Sequence, residues 1–377
     1  MTANTGTRLF IALKDLHSVQ FGPDPDAAQP LAPGQARLAL DQFALTANNI
    51  TYAAFGEAMK YWQFFPAPDP AWGCLPVWGF AVVSESRAEG VAVGQRVYGY
   101  CPAGTHLVVT PGQLDAAGFV DMAAHRQEMA AAYQSYVFCD HDPSWQARLE
   151  GLQAVLKPLF ITSFLLDDFF AENQFFGARQ LLLSSASSKT AYGTAFCLAQ
   201  RRGTPGAPKV VGLTSSANLA FTRGLGVYDE VRLYDEVSQL DRSVPSAYVD
   251  FSGNAALRRS VHEHWGEALK HSSSIGGTHW KALGRGAGLP GPRPTLFFAP
   301  AQAKKRSAPP PEGWGRTGLE QRIAVAWSSF VARVERSDDP WVKLVHGSGT
   351  SATEAAYRAL LDGRADPREG QMLSLRA

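Results

Sequence analysis

The sequence predicts an α/β fold in which a β-rich N-terminal region precedes a parallel, doubly wound sheet. The β-rich region is indicated by short apolar or alternating segments between Gly and Pro turns, at 8–13, 36–47, 77–84 and 95–100. The parallel sheet is indicated by apolar strands that alternate with helical segments between 181 and 277. Such alternation is typical of strands joined by helical crossovers.

Length and composition limit the class of protein. The 377 residues suggest two domains. Lys and Arg total 35 and Asp and Glu total 34, so no charge excess points to nucleic acid as a partner. No apolar run approaches the roughly 20 residues that span a membrane. The four cysteines form no CxxC pair and no signal-peptide pattern precedes the first strand, so we expect a cytoplasmic protein.

Between the two sheets, apolar residues at helical spacing predict helices over 122–133, 145–156 and 164–170. The strands of the parallel sheet are predicted at 181–185, 209–214, 230–234, 246–252 and 270–276, with helices that start near Ser188, Asn218 and Ala255. Beyond them we predict a strand over 295–300, an exposed Pro-rich loop over 304–315, a helix over 319–333, and a final strand, helix and strand at 341–345, 352–361 and 371–375.

The turn after Leu181–Leu183 is the first candidate binding site. A strand, a turn of small residues, a helix and a second strand form a βαβ unit, which commonly binds a dinucleotide at its first turn. The turn lacks the usual glycines, but small residues can leave backbone N–H groups open to a pyrophosphate at the helix N-terminus. The candidate phosphate-binding residues are Ser184, Ser185, Ala186, Ser187, Ser188, Lys189 and Thr190. Alternatively, a serine only caps the helix and Lys189 points into solvent.

The end of the second strand indicates which cofactor is preferred. An NAD site places Asp or Glu there to bind the ribose hydroxyls, whereas a carboxylate would repel a 2′-phosphate. This chain has Thr214, Ser215 and Asn218 without an acid, and Arg223 follows about one turn later. We therefore predict NADP(H) rather than NAD(H). Helix capping, or pairing of Arg223 with Asp229 or Glu230, is the competing explanation.

Turns after two later strands add candidates at the same edge of the sheet. Ser252 and Gly253 follow one strand, and Gly276 and Thr278 follow the next. The carboxyl ends of parallel strands are where such sheets bind ligands. Tight turns made by the glycines are the alternative.

Several segments, in this order, resemble the medium-chain dehydrogenase/reductase superfamily, in its quinone-reductase-like branch. They are Asn48–Tyr52, Leu75–Val83, Val91–Gly99, Gly224–Val231 and the C-terminal Ala355–Leu375. More narrowly, three segments are similar to the DUF2855 subfamily: Tyr61–Pro66, Ser184–Ala191 and Phe297–Gln302. The resemblance implies a GroES-like catalytic domain over 1–145 with 336–377, and a Rossmann-like cofactor-binding domain over 146–335.

The resemblance also implies where the reaction takes place. It places Tyr52 at the border of the active site, where a phenol can donate a hydrogen bond or proton; Tyr61 and Lys60 are second candidates. It places Thr162 near the nicotinamide. The zinc-dependent branch has Gly-His-Glu where this chain has Gly79-Phe80-Ala81, so we expect no metal.

Nine aromatic residues lie between 52 and 80, against 11% aromatic residues in the whole chain. They indicate an apolar substrate pocket, an interface or ordinary core. We therefore expect a zinc-independent, NADP(H)-dependent oxidoreductase that reduces an activated C=C bond or a quinone of a hydrophobic small molecule, and that forms a homodimer as related families do. The alternatives are a redox-inactive binding protein that uses the aromatic cleft, or a non-redox enzyme on the same scaffold.

Overall fold

The computed structural model describes residues 6–127, 129–275, 288–336 and 338–376. The chain divides into two compact units, unit 1 over 1–155 with 343–377 and unit 2 over 156–342. The strands in chain order are β1 (Arg8–Ala12), β2 (Asp15–Gly22), β3 (Ala36–Leu45), β4 (Trp72–Cys74), β5 (Pro76–Ser86), β6 (Arg96–Pro102), β7 (His106–Val109), β8 (Pro111–Asp115), β9 (Gly118–Asp121), β10 (Ser135–Phe138), β11 (Gln180–Leu183), β12 (Lys209–Thr214), β13 (Glu230–Leu233), β14 (Ser246–Asp250), β15 (Leu269–Ser274), β16 (Thr295–Leu296), β17 (Lys343–Ser348) and β18 (Glu369–Ser374). The helices are α1 (Ala47–Ala54), α2 (Glu150–Glu172), α3 (Lys189–Ala199), α4 (Leu219–Gly224), α5 (Ala255–Trp265), α6 (Ala299–Ser307), α7 (Gly315–Val334) and α8 (Gly349–Leu361).

Unit 1 is built from antiparallel sheets, as the short alternating segments predict. A small sheet has the order β2-β1-β4, and a larger one has the order β17-β18-β3-β5-β6-β10-β9-β8, with β7 also paired to β3. Of these pairs only β17 and β18 run parallel. In the larger sheet, β5 and β6 bring Trp78 opposite Tyr100 and Phe80 opposite Tyr98. Cross-strand aromatic pairs of this kind stabilise a sheet and form one face of the aromatic region.

Unit 2 contains a six-stranded parallel sheet in the order β13-β12-β11-β14-β15-β16. Numbered from β11, this order is 3-2-1-4-5-6, the arrangement of dinucleotide-binding sheets. The strand order reverses between β11 and β14, and ligands of such folds bind at the carboxyl ends there. The central strands β11 and β14 are buried along their whole length, and each contains a continuous hydrophobic run, at 181–183 and 247–249. The predicted α/β fold class is confirmed.

A left-handed turn joins α2 to β11. The backbone φ angles of Gln174, Phe175 and Phe176 are 50°, 53° and 56°, and Gly177 follows at 74°. Residues other than glycine adopt this backbone conformation at a cost of about 1–2 kcal/mol each. The Phe176 ring stacks on His271 of β15 with a centroid distance of 3.8 Å, and this contact holds the turn in place.

Several predicted elements differ from the structure. The helices predicted over 145–156 and 164–170 belong to one helix, α2, and the strand predicted over 295–300 is limited to Thr295–Leu296 because α6 begins at Ala299. Residues 122–133 do not form a helix but short 3-10 turns at Ala124–Arg126 and Ala131–Tyr133. The Gln134 side-chain amide donates to the Arg126 and Met129 carbonyls at 2.8 Å each, so it takes acceptors that a continuing helix would use. Buried Arg126 also forms an ion pair with Asp121 at 2.6 Å. Tertiary contacts thus override the helical spacing.

The segment 304–315, predicted to be an exposed Pro-rich loop, begins instead as the second half of α6. Pro300 occupies the first turn of this helix, where proline is tolerated because its missing N–H has no partner to lose. Lys305 pairs with Glu172 at 2.6 Å and Arg306 with Asp168 at 2.7 Å, both on α2. These ion pairs explain why the basic residues are helical.

Candidate functional site

The turn Ser184–Ser188 links β11 to α3 and is held by both neighbouring strands. The Ser184 N–H donates to the Val249 carbonyl of β14 at 3.1 Å, and the Ala186 N–H donates to the Leu213 carbonyl of β12 at 3.0 Å. Ser185 adopts a left-handed φ of 48°, and its carbonyl accepts from the Ser188 N–H at 2.7 Å. The seven predicted phosphate-binding residues therefore lie together in this turn and the first turn of α3.

Ser188 is the N-cap residue of α3, but its side chain makes no capping hydrogen bond. Its Oγ is buried and has no hydrogen-bond partner among the described residues. A buried hydroxyl without a partner is costly unless a bound group satisfies it. The first N–H groups of any α-helix point out of its N-terminus rather than to carbonyls of the helix. The combination of donors and helix dipole suits an anion.

In turns of this kind, glycines usually allow a close approach of the backbone. Here the turn packs closely against β12. Ala186 is fully buried, and a Cβ added to Gly212 would lie 3.0 Å from the Ala186 Cβ and 2.9 Å from the Tyr228 ring. The Tyr228 hydroxyl donates to the Ala186 carbonyl at 2.7 Å. Gly212 in the neighbouring strand therefore makes room for the Ala186 and Tyr228 side chains.

A buried polar network closes the carboxyl ends of β11 and β14. Asp250, which is 1% exposed, accepts hydrogen bonds from Ser184 Oγ at 3.0 Å, Ser252 Oγ at 2.8 Å and the Gly253 N–H at 2.9 Å. Its other oxygen forms an ion pair with Arg258 at 2.9 Å. The hydroxyls of Ser184 and Ser252 are therefore engaged by the protein itself.

The end of β12 carries the residues predicted to select the cofactor. The Thr214 hydroxyl is buried and accepts from Thr222 at 3.3 Å, whereas Ser215 and Asn218 at the start of α4 are partly exposed. The Asn218 N–H donates to the Ser215 carbonyl at 3.1 Å. Ser215 precedes the short 3-10 turn Ser216–Asn218, and Asn218 precedes α4. Neither side chain makes a capping hydrogen bond, which leaves both polar groups available at the surface.

Arg223 is exposed on α4, and no ion pair is found for it among the described residues. The two carboxylates that could have neutralised it pair elsewhere. Asp229 pairs with Arg202 at 2.8 Å, and Glu230 pairs with Lys209 and Arg232. The guanidinium is therefore not used by the acids that follow it in the sequence.

Tyr234 was missed by sequence reasoning. It follows β13, and its hydroxyl approaches both the backbone and the side chain of Ser185. Burial raises the pKa of Tyr234 to about 12 although contact with Ser185 acts in the opposite direction. A tyrosine directly after the third strand is the only signal that the sequence offered.

Three further predicted residues are Thr162, Gly276 and Thr278. Thr162 is in the middle of α2, where its hydroxyl donates to the Pro158 carbonyl at 3.3 Å. Gly276 and Thr278 fall outside the described residues.

In unit 1, Tyr52 lies on α1 at the centre of a ring cluster. The helix begins at a capping arrangement in which Asn49 Oδ1 accepts from the Thr46 N–H at 2.7 Å. The Tyr52 ring centroid is 4.6 Å from Tyr61, 5.5 Å from Tyr100 and 6.2 Å from Tyr133. Trp78 Nε1 donates to the Tyr52 hydroxyl at 3.4 Å. The structure thus brings the predicted residues Tyr52 and Tyr61 together.

Burial sets the ionisation of these phenols. It raises the pKa of Tyr52 well above 10, and the nearby Tyr61 raises it further, while hydrogen bonding from Trp78, Asn48 and Tyr133 acts in the opposite direction. Burial also raises the pKa of Tyr61 and Tyr133. The cluster therefore holds its protons throughout the neutral and moderately alkaline range.

Tyr133 is a member of this cluster that sequence reasoning missed, because it lies in the segment predicted to be helical. Lys60 is exposed and has a left-handed φ of 60° immediately before the short turn Tyr61–Gln63. Its ammonium group is therefore on the surface rather than among the buried rings. Phe80 is fully buried on β5, so ordinary core accounts for part of the aromatic density.

The described ranges contain neither a membrane-spanning helix nor a cluster of metal ligands. No helix there is both long and apolar enough to cross a membrane. No three His, Cys, Asp or Glu side chains in the same ranges gather in an arrangement that could hold a metal ion.

Comparison with known structures identifies the fold. The structure matches CurA from Vibrio vulnificus in complex with NADPH, with a TM-score of 0.62 and 11% identity. The match covers 98% of this chain and 99% of that chain. It matches the yhdH oxidoreductase from Salmonella enterica in complex with NADP over 98% and 100% of the chains, with a TM-score of 0.53 and 11% identity. It matches the CurK enoyl reductase over 98% and 99%, with a TM-score of 0.52 and 12% identity. At these identities, the likeness establishes the fold.

Two sequence comparisons complete the identification. A stretch of 114 residues is 34% identical to Mycoketide-CoA synthase of Mycobacterium tuberculosis (strain ATCC 25618 / H37Rv), and it covers 30% of this chain but 2% of that protein. The family model described as "Protein of unknown function (DUF2855)" matches residues 43–366. The chain therefore belongs to the DUF2855 family and has the fold of the medium-chain dehydrogenase/reductase superfamily.

Proposed function

We propose that this protein is an NADP(H)-dependent oxidoreductase that reduces an activated C=C bond or a quinone of a hydrophobic small molecule. The observation that carries the proposal is the buried Ser188 hydroxyl without a partner, at the N-terminus of α3 and at the reversal point of a 3-2-1-4-5-6 sheet. Solved proteins of this fold were crystallised with NADPH or NADP, and another is an enoyl reductase, which supports the same class of cofactor and reaction.

The residues fit an anionic dinucleotide. Ser187, Ser188 and the first turn of α3 would hold the pyrophosphate, with Lys189 supplying a positive charge. Arg223 would bind the 2′-phosphate with Ser215 and Asn218, since the acids that follow it already have other partners. The same edge of the sheet carries no carboxylate in the position that an NAD site uses.

Chemistry at the reacting end follows from the phenol cluster. Bound NADPH would supply a hydride. Tyr52 would keep its proton at Oη, because its raised pKa opposes ionisation, and would donate a hydrogen bond to the substrate carbonyl as negative charge develops on its oxygen. Surrounding rings would exclude water and favour an apolar substrate. The resemblance places Phe80, whose side chain cannot bind a metal, where the zinc-dependent branch has histidine, so Tyr52 would take the part that zinc plays in that branch.

Titration with NADPH and NADH tests the cofactor. The nine tryptophans provide intrinsic fluorescence, and energy transfer to the reduced nicotinamide reports binding. We expect NADPH to bind at least about tenfold more tightly than NADH, because a 2′-phosphate contact adds a charge-assisted bond. Failure of a folded sample to bind either nucleotide would overturn the proposal.

Lys189→Ala sharpens the test, with Lys209→Ala as its matched control. Lys189 begins α3, whereas Lys209 begins β12 at the amino end and pairs with Glu230. We expect NADPH binding about tenfold weaker in the first variant and unchanged in the second. Equal affinities in both would argue against a phosphate at this turn.

An enone and quinone screen then tests the reaction. NADPH oxidation that depends on one of these substrates supports the reductase. Tight NADPH binding with no turnover across the screen would instead support a redox-inactive binding protein, the alternative that the altered glycine turn favours.

A further inference from the structure

We propose that the bridge between Ser184 and Asp250 replaces the glycine fingerprint: Asp250 is a positioning residue that fixes the turn Ser184–Ser188 for cofactor binding. The inference rests on the proposed NADP(H) site and names a residue that sets its geometry without touching the ligand. Asp250 was not among the residues that the sequence singled out.

Asp250 acts on the turn through Ser184. Ser184 Oγ donates to Asp250 Oδ1 at 3.0 Å and accepts from the N–H groups of Phe251 and Ser252 at 3.0 and 3.1 Å. One hydroxyl directly after β11 is thus tied to three groups at the carboxyl end of β14. Because the first residue of the turn cannot rotate away from β14, the residues that follow it are presented in one conformation.

A buried carboxylate at an anion-binding edge would normally weaken binding through repulsion. Here Nε and Nη2 of Arg258 each lie 2.9 Å from Asp250 Oδ2, so the carboxylate and the guanidinium together are neutral. Burying two charges costs stability, and this cost is explained if the pair fixes the geometry of a functional segment. Here the pair fixes the turn through the bond between Ser184 and Asp250.

The same two strands carry a second bridge that serves as a control. At their amino ends, Gln180 Nε2 of β11 donates to Ser246 Oγ of β14 at 2.8 Å, also in a buried position. Both bridges join residues 66 apart in the sequence and both depend on one serine hydroxyl. They differ in their distance from the turn, since one lies at each end of the strands.

The experiment compares Ser184→Ala with Ser246→Ala in the full chain. Hydrogen–deuterium exchange of the unliganded protein reports the turn directly, and urea unfolding reports the general loss of stability. We expect amides 185–191 to exchange about tenfold faster in S184A than in S246A at similar global stability. NADPH affinity should fall about tenfold in S184A and stay within about twofold in S246A.

The outcomes separate the two proposals. If wild type binds NADPH but both variants bind it equally well, the bridge has no positioning role and the cofactor assignment stands. If wild type binds no NADPH, the proposed function fails, and exchange still decides whether the bridge orders the turn. Equal exchange of residues 185–191 in both variants overturns the inference in either case.

Discussion

The carboxyl edge of the sheet in unit 2 and the aromatic cluster in unit 1 are constructed in opposite ways. At the sheet edge, directional bonds to one buried carboxylate fix the turn, with six donor–acceptor contacts to Asp250 from Ser184, Ser252, Gly253 and Arg258. In the cluster, rings at centroid distances of about 4.6–6.4 Å fix one another by shape, and the Tyr52 hydroxyl takes part in hydrogen bonds with the neutral side chains of Trp78, Asn48 and Tyr133.

The difference predicts different sensitivities. A network around a buried charge loses much of its stability when one charged member is removed, because the remaining charge is left unpaired. A ring cluster tolerates the removal of a single hydroxyl, because most of its stability comes from packing. Stability should therefore respond most strongly in unit 2, and turnover most strongly in unit 1.

Removing the buried carboxylate should have the largest effect. Asp250→Ala removes the carboxylate that pairs with buried Arg258, so we expect the free energy of unfolding to fall by about 3–5 kcal/mol in urea titrations. Replacing both residues, with Arg258→Met added, should recover part of this loss because no charge then remains unpaired. A single variant that loses less than about 1 kcal/mol would remove the contrast between the two regions.

Removing the Tyr52 hydroxyl should affect turnover without affecting stability. Tyr52→Phe keeps the ring contacts, so we expect kcat to fall about 100-fold while the NADPH affinity and the urea midpoint stay unchanged. Tyr98→Phe is the control, since the Tyr98 hydroxyl is buried in the same region without a partner among the described residues. Equal turnover of the two variants would exclude Tyr52 as the proton donor.

Removing the exposed guanidinium should act on cofactor selection alone. For Arg223→Ala we expect NADPH to bind about tenfold more weakly and NADH as before, with a smaller difference at high salt. Arg316→Ala is the control, because Arg316 pairs with Glu320 on the surface of α7. A parallel loss for both nucleotides would mean that Arg223 does not contact the 2′-phosphate.

The smallest effect concerns pH. Burial lowers the pKa of His271, which stacks on Phe176, to about 4 from its ordinary 6.5. Because the folded state binds the proton less readily, the stability contributed by neutral His271 is present above pH 6.5 and is lost as the pH falls through about 4.

For a partly exposed group this contribution is about 1 kcal/mol. His271→Gln should therefore reduce the loss of stability between pH 7 and pH 4.5, measured by urea unfolding at both values. An identical loss of stability in wild type and variant would mean that His271 does not cause this pH dependence. The tyrosines of unit 1 add nothing in this range, since their raised pKa keeps them protonated.

The sequence was informative where local patterns decide structure. β12 spans the predicted 209–214, and α3 starts one residue after the predicted position at Ser188, because apolar runs and small turn residues are local signals. The turn that carries the predicted phosphate residues follows directly from this βαβ unit.

The remaining features depend on contacts between distant residues. Ser184 and Asp250 are 66 residues apart, so no periodicity reveals their bond, although an acid at the end of a strand and an arginine eight residues later were visible. Tyr133 was hidden because Gln134 and Arg126 convert an apparent helix into turns. Such tertiary competition is the usual reason why helical spacing fails.

The close contact between Ala186 and Gly212 has a consequence for recognising related proteins by their sequences. A search that requires glycines in the turn after the first strand passes over this chain, although the strand order around that turn is the dinucleotide-binding one. In this chain a glycine is needed in β12, where a side chain at 212 would meet Ala186 and Tyr228. A more telling search pattern would join a small residue in the first turn, a glycine in the second strand and a tyrosine sixteen residues after it.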